Sequence, residues 1–281
     1  MTEQGRRGRV LVIAGSDSGG GAGIQADTKA ITCLGGFAAT AITALTAQNT
    51  CGVAGVHPAP VDFLRLQIRT VLDDIGADSL KTGMLHDAAT VEAVAAELEP
   101  WSRQCPLVVD PVMVAQSGAR LLDAGALEAL WRYLIPQARL LTPNLPEAAA
   151  LLGTPVESVS DMPEAARRLG ERAGAAVLLK GGHLPGDALQ DVLVCEQKVE
   201  VFEHRRLPTV HTHGSGCTLA SAIAAGLAQG LDLRTAVLRG RAYLLEAIRT
   251  AAPLGRGAGP VNHGWTIDPA RLDALLGASD A

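Results

Sequence analysis

Four segments of this chain place residues that can handle phosphate, metal or a proton directly after short apolar runs. The most informative is Thr212-His213-Gly214-Ser215-Gly216-Cys217-Thr218. It leads into a helix whose apolar face is Leu219, Ile223 and Leu227, so free backbone N–H groups converge at Gly214, Ser215 and Gly216 and form a nest for a phosphate or oxyanion. Cys217 falls in the first helical turn, where the helix dipole lowers a thiol pKa. A partly ionised thiol there can take a proton from a substrate hydroxyl; the same position also suits a small residue at a crowded helix start. Leu179-Lys180-Gly181-Gly182-His183 sets a lysine at a strand end before two glycines, where its point charge can meet a phosphate or simply be solvated. His183 reads as a turn residue rather than a metal ligand.

Leu141-Thr142-Pro143-Asn144-Leu145-Pro146-Glu147 follows a third apolar run. Asn144 is a good N-cap, and Glu147 sits where a capping partner would. As a functional group, Glu147 is a carboxylate able to organise Mg²⁺ through water, since that ion keeps several waters and uses few protein ligands. Asp110 ends the run Leu107-Val108-Val109 and offers a second carboxylate. The fourth segment, from Gly15 to Asp27, has five glycines among residues 15–23 and starts a helix near Ile24. It is neither a Walker loop nor a dinucleotide fingerprint, but it allows close approach of backbone to a ligand. Asp27 is expected in the first turn of that helix, compensating its dipole. The glycine-rich stretch 255–263 around Arg256 could add a cation or close the site. An anion nest, a lysine, two acids for Mg²⁺ and a proton acceptor are the parts that phosphoryl transfer requires.

The elements that must position these groups alternate. Residues 10–14, 107–109, 139–141 and 176–179 are continuous apolar runs suited to strands buried on both faces of a parallel sheet. Between them, Leu64, Ile68, Val71, Leu72 and Ile75 share one helical face. So do Val91, Val94, Ala95 and Leu98, and then Leu127, Leu130, Trp131 and Leu134. Asp161 with Glu164 resembles a capping box, with Gly174 ending that helix, and Asp268-Pro269 begins a last helix that Gly277 stops. The pattern implies right-handed βαβ units in a layered α/β fold with ligands beyond the strands' carboxyl ends. We expect one domain over residues 10–277 behind a disordered tail, residues 1–9.

Composition narrows the function. A chain of 281 residues with 48% hydrophobic content can fill one large core. Net charge −5, scattered basic residues and 3% aromatics argue against nucleic acid as a partner. No apolar stretch is long enough for a membrane span. The five cysteines lack metal or disulfide spacing, which fits a reducing cytoplasm; four are expected to be small core residues.

Six segments in order resemble the hydroxymethylpyrimidine/phosphomethylpyrimidine kinases of thiamine biosynthesis. They are Ala14-Gly15-Ser16-Asp17 with Gly20-Gly21-Ala22-Gly23-Ile24-Gln25-Ala26-Asp27, then Thr46-Ala47-Gln48-Asn49-Thr50, Lys81-Thr82-Gly83-Met84-Leu85, residues 142–148, residues 180–183 and residues 213–218. The resemblance spans about residues 10–264. It implies a ribokinase-like three-layer α/β/α sandwich with a mostly parallel sheet. It also implies ATP and Mg²⁺ as cofactors, a homodimer, and phosphorylation of one pyrimidine twice. On this resemblance Gln48 bonds the aminopyrimidine edge, and Gly15, Asp27, Met84 and Val112 line the substrate pocket. Asn144, Lys180, Thr212 and Arg256 serve ATP and its phosphates, and Asp110 and Glu147 serve the metal. Gly214, Ser215, Gly216 and Cys217 form the anion hole, with Cys217 as proton acceptor. The chain departs from the pattern at Ser18-Gly19, where Pro-Ser is frequent, at Ser215, often Thr, and at Arg256, often Lys; residues 192–203 are weakly determined. A pyridoxal kinase of the same superfamily and a regulator that kept the fold without turnover are the rival readings.

Overall fold

Side chains alternate across a strand, so a run that is apolar at every position needs a core on each side. Strand β1 (Arg9–Ala14) shows this: Leu11 and Ile13 enter one hydrophobic cluster, Val10 and Val12 the other. The computed structural model describes residues 8–114, 118, 121–182, 186–268 and 270.

After β1 come α1 (Gly23–Cys33), β2 (Phe37–Ile42), a hairpin of β3 (Ala44–Asn49) and β4 (Gly52–Pro58), and α2 (Val61–Asp74). Next are β5 (Ser79–Thr82), α3 (Ala88–Ser102), β6 (Leu107–Val109), α4 (Ala124–Ala129) running into a π-turn, β7 (Leu140–Leu141) and α5 (Leu145–Leu152). The chain continues through α6 (Met162–Ala173), β8 (Ala176–Lys180), β9 (Ala188–Cys195), β10 (Lys198–Arg205), α7 (Ser215–Ala228) and α8 (Leu233–Arg249). Eight strands form one sheet in the order β10-β9-β8-β7-β6-β5-β1-β2, and β3-β4 form a separate two-stranded sheet. Pairing is parallel from β2 through β8 and antiparallel for β9 and β10.

One cluster packs Leu64 and Ile68 of α2, Val91 and Leu98 of α3, Ala148 of α5 and Leu169 of α6 against the sheet. The opposite face is covered by Ile31 of α1, Leu219 and Ile223 of α7 and Val237 of α8. The result is the expected three-layer α/β/α sandwich. All six parallel strands end on one edge, which carries the chemistry.

Several local expectations are corrected. Arg9 belongs to β1 and donates from Nε to Asp78 Oδ2 at 3.0 Å, so the tail gives way before residue 9. The capping box lies at Ser158 and Asp161, where the Asp161 side chain accepts from Ser158 N at 2.9 Å, and not at Asp161 and Glu164. Gly174 does end α6, with a left-handed φ of 64°. Of the four cysteines expected in the core only Cys105 is buried; Cys33 and Cys195 are partly covered and Cys51 is exposed. At the start of the expected last helix Ala270 N donates to Asp268 Oδ1 at 3.0 Å; the rest of that helix and His183 lie outside the described residues. Among the described residues no helix is long and apolar enough to cross a membrane.

Candidate active site

The ends of β1, β5, β6, β7 and β8 and the start of α7 surround a cavity of about 800 Å³. Each contributes through its local sequence. Gly15 follows β1 and its carbonyl accepts from Ile24 N at 3.0 Å, folding the glycine loop back over the strand end. Met84 follows β5; its carbonyl accepts from Thr43 Oγ1 at 2.7 Å, which anchors its backbone, and its thioether lies beside Gly15. Val112 and Gln48 complete this part of the lining.

The charged part begins at Asp110, after β6. Its buried carboxylate accepts from Thr142 Oγ1 at 2.9 Å and from Lys180 Nζ at 3.0 Å. Burial alone would raise its pKa, but the Lys180 and Lys81 ammonium groups outweigh burial and hold it below the usual carboxylate range. Asn144 caps α5 by accepting from Glu147 N at 2.9 Å, while Glu147 accepts from Asn144 N at 2.8 Å. The capping role expected for both is therefore real, yet both also line the cavity. Burial pushes the Glu147 carboxyl up to about 7, with Lys180 pulling the other way and Asp110 adding to the rise. A carboxyl so poorly compensated gains from an added cation. Among the described residues no three His, Cys, Asp or Glu gather as a metal cluster. Two carboxylates fit Mg²⁺, which keeps its waters, and do not fit a zinc site.

The nest sits over this group. Gly214 caps α7 in the left-handed conformation, φ 80°, and a β-carbon there would lie 1.8 Å from the Gly21 carbonyl oxygen. Only glycine lets the two glycine loops meet this closely. A β-carbon on Gly216 would lie 3.4 Å from Lys180 Nζ and 3.9 Å from Asp110 Oδ2, so the first turn of α7 faces the lysine and the acid. Ser215, Cys217 and Thr212 line the same wall.

Three sequence expectations change here. Asp27 is not in the cavity lining: it is fully buried in the second turn of α1, and its carboxylate accepts from Lys81 Nζ at 2.8 and 3.0 Å and from Ser221 Oγ at 2.6 Å. Arg256 is exposed and outside the lining; its neighbours Gly257 and Ala258 border a smaller cleft with Thr50 and His213. Cys217 is not ionised in the free protein. Burial pushes its thiol up to about 12, with Lys81 opposing and Asp27 and Asp110 adding to the rise, so enclosure overrides the helix dipole.

Reasoning from sequence missed Asp17 and His213 as site residues. Asp17 is buried, and its Oδ2 lies 2.8 Å from His213 Nε2. It also missed the far end of the cavity, where Asp191, His204 and Arg206 lie near Arg241, Leu244 and Ile248 of α8. The buried Lys81 could have been flagged, because a lysine inside an otherwise closed strand needs a partner.

A parallel sheet whose carboxyl edge carries a nest, a lysine and two acids around one cavity defines a ribokinase-like phosphotransferase scaffold. The sequence matches the phosphomethylpyrimidine kinase family model over residues 17–262. It is 47% identical to the hydroxymethylpyrimidine/phosphomethylpyrimidine kinase of Streptomyces coelicolor, over 92% of this chain and 95% of that one. It is 52% identical to the thiamine biosynthesis bifunctional protein ThiED of Geobacter sulfurreducens over 92% of this chain, which spans about half, 52%, of that protein. An ADP complex of Bacillus subtilis pyridoxal kinase superposes with a TM-score of 0.84 at 36% identity, covering 92% of this chain and 98% of that one. The chain belongs to the phosphomethylpyrimidine kinase family.

Proposed function

We propose that this chain transfers phosphate from ATP to the hydroxymethyl group of 4-amino-5-hydroxymethyl-2-methylpyrimidine, and then to the resulting monophosphate, for thiamine biosynthesis. The observation that carries this reading is the first turn of α7 facing Lys180 and Asp110 across a cavity that Gln48 borders. Gln48, Gly15, Met84 and Val112 seat the ring. The N–H groups of Gly214 to Cys217 and the Lys180 ammonium hold the phosphoryl group in transit, and Asn144 and Thr212 border its path. Asp110 and Glu147 would hold Mg²⁺, which when bound would supply neutralisation of developing phosphate charge. Leu244 and Ile248, at the far end, offer an apolar seat for the adenine. We place the enzyme in the cytoplasm as a homodimer, to be checked by sedimentation.

Cys217 accepts the hydroxyl proton. Its thiol must first lose its own proton to water, and Lys81 is the group that favours the thiolate. Cys217→Ala is expected to keep nucleotide binding and lower kcat by about 10²-fold, the scale of a general base. Unchanged kcat would send the proton elsewhere. Chelation with EDTA is expected to stop turnover, and Glu147→Gln to raise the Mg²⁺ concentration for half-maximal rate by about tenfold or more. An unaltered Mg²⁺ dependence would remove Glu147 from the metal site.

The function itself is tested by a coupled ADP-release assay with the hydroxymethylpyrimidine, its monophosphate and pyridoxal run in parallel. Turnover of both pyrimidines is expected. Turnover of pyridoxal alone would keep the scaffold and replace the substrate.

A further inference from the structure

Buried Asp17 and partly buried His213 form a pair that the phosphate chemistry does not use. The Asp17 carboxylate accepts from Gly19 N at 2.8 Å, Gly21 N at 3.0 Å and Ala22 N at 2.8 Å. Burial would raise its pKa, but the bonds from His213, Gly19 and Ala22 outweigh burial and hold it below the ordinary carboxylate range. Its Oδ2 lies 2.8 Å from His213 Nε2. An ionised oxygen at that distance needs a donor, so His213 Nε2 carries a hydrogen.

The same ring nitrogen stands 3.4 Å from the Gln48 amide nitrogen. Two N–H donors then face each other. At the other end of the amide, Gln48 Oε1 is 3.3 Å from Thr46 Oγ1. That hydroxyl has one hydrogen and a closer acceptor, the Ser16 carbonyl at 3.0 Å. Both ends of the amide are mismatched in this orientation. A half-turn about the last side-chain bond serves both ends better: Nε2 donates to a lone pair of Thr46 Oγ1, and Oε1 replaces the opposed amide N–H beside the His213 N–H, sharing its one hydrogen as the longer branch of the bond to Asp17.

We infer that the Asp17–His213 pair is a specificity-determining device that fixes the half-turned orientation of the Gln48 amide and so sets the order of donor and acceptor offered to the substrate ring. The inference rests on the proposed function. An aminopyrimidine edge carries an amino donor beside a ring-nitrogen acceptor and reads that order; a pyridine ring such as pyridoxal lacks this pair. A site committed to one order discriminates strongly, because a mismatched ring leaves polar groups unpaired. Asp17 and His213 are positioning residues, acting through Gln48. His213 also ties two walls together, since its backbone N–H donates to the Gly259 carbonyl at 3.1 Å and its carbonyl accepts from Val261 N at 3.3 Å. Side-chain replacement leaves those backbone bonds available.

The test is steady-state kinetics on wild type, His213→Ala, His213→Gln, Asp17→Asn and Gln48→Ala, with the hydroxymethylpyrimidine and pyridoxal as alternative acceptors. His213→Ala is expected to raise the pyrimidine KM about tenfold or more, approaching Gln48→Ala, with a smaller fall in kcat and little change in KM for pyridoxal. His213→Gln, whose amide N–H can reach the place of the ring N–H, is expected to recover most of the loss, and Asp17→Asn to reproduce part of it. Equal proportional losses on both acceptors, or a pyrimidine KM unchanged in His213→Ala, would overturn the inference while the proposed function stands. If the wild type turns over no pyrimidine, the proposed function fails and this inference is overturned with it. Should His213→Ala not fold, the His213→Gln and Asp17→Asn pair decides in the same way.

Discussion

Asp27→Ala is expected to lower stability by about 3–5 kcal/mol, the cost of leaving a buried ion without its partner. Lys81 and Asp27 are both fully enclosed and in contact at 2.8 Å. Burial pulls Lys81 toward its neutral form, but the charge and hydrogen bonds of Asp27, with Cys217 and Asp110 adding, together outweigh it, so Lys81 holds its proton more firmly than a free lysine. Without Asp27 that ammonium has no facing carboxylate in contact, and Ser221 loses its acceptor. Urea unfolding measures the loss. The double variant Asp27→Ala with Lys81→Met is expected to recover a large part of it, because removing both charges removes the unpaired one. A pocket residue of the kind the resemblance implied would behave differently: Asp27→Ala would raise KM and leave the unfolding midpoint near wild type. That result would contradict the structural placement.

The second large effect concerns the nest. Gly214→Ala is expected to lower kcat by about 10²–10³-fold, the range for losing a positioned oxyanion donor. The added methyl group would stand 1.8 Å from the Gly21 carbonyl oxygen on a backbone held at φ 80°. Both the contact and the left-handed backbone force the turn to move, and the N–H groups that follow it move too. A stability loss of about 1–3 kcal/mol should accompany it. Thermal unfolding separates the two effects: a folded variant at assay temperature with a low kcat assigns the loss to the nest. A kcat within threefold of wild type would show that this turn does not face the reacting phosphate.

Local patterns were legible in the sequence and distant pairings were not. The Asn144 cap stands where the sequence places it, and residues 214–217, Asp110 and Glu147 all border the cavity, because each position depends on a few adjacent residues after an apolar run. Asp27 was misread because its partner Lys81 is 54 residues away. The strand that carries Lys81 was also missed: Ser79-Leu80-Lys81-Thr82 breaks the apolar run that marks a buried strand, and only the ion pair allows it to be buried. Strand β2 was missed for a plainer reason, its Ala- and Thr-rich sequence at the sheet edge. For Cys217 the sequence named one influence, the helix dipole, and could not weigh it against burial and the charges of Asp27 and Asp110. The far end of the cavity depends on how β9 and β10 pair antiparallel beyond β8, a topology that no short motif announces.

The central claim is two successive phosphoryl transfers to one pyrimidine in this cavity. Phosphorus NMR of a single reaction containing the protein, Mg²⁺, ATP and the hydroxymethylpyrimidine follows it directly. The account predicts a phosphomonoester resonance that rises and then gives way to the two coupled resonances of an organic diphosphate. A monoester that accumulates without conversion, or no new phosphorus signal while pyridoxal is phosphorylated under the same conditions, would contradict it.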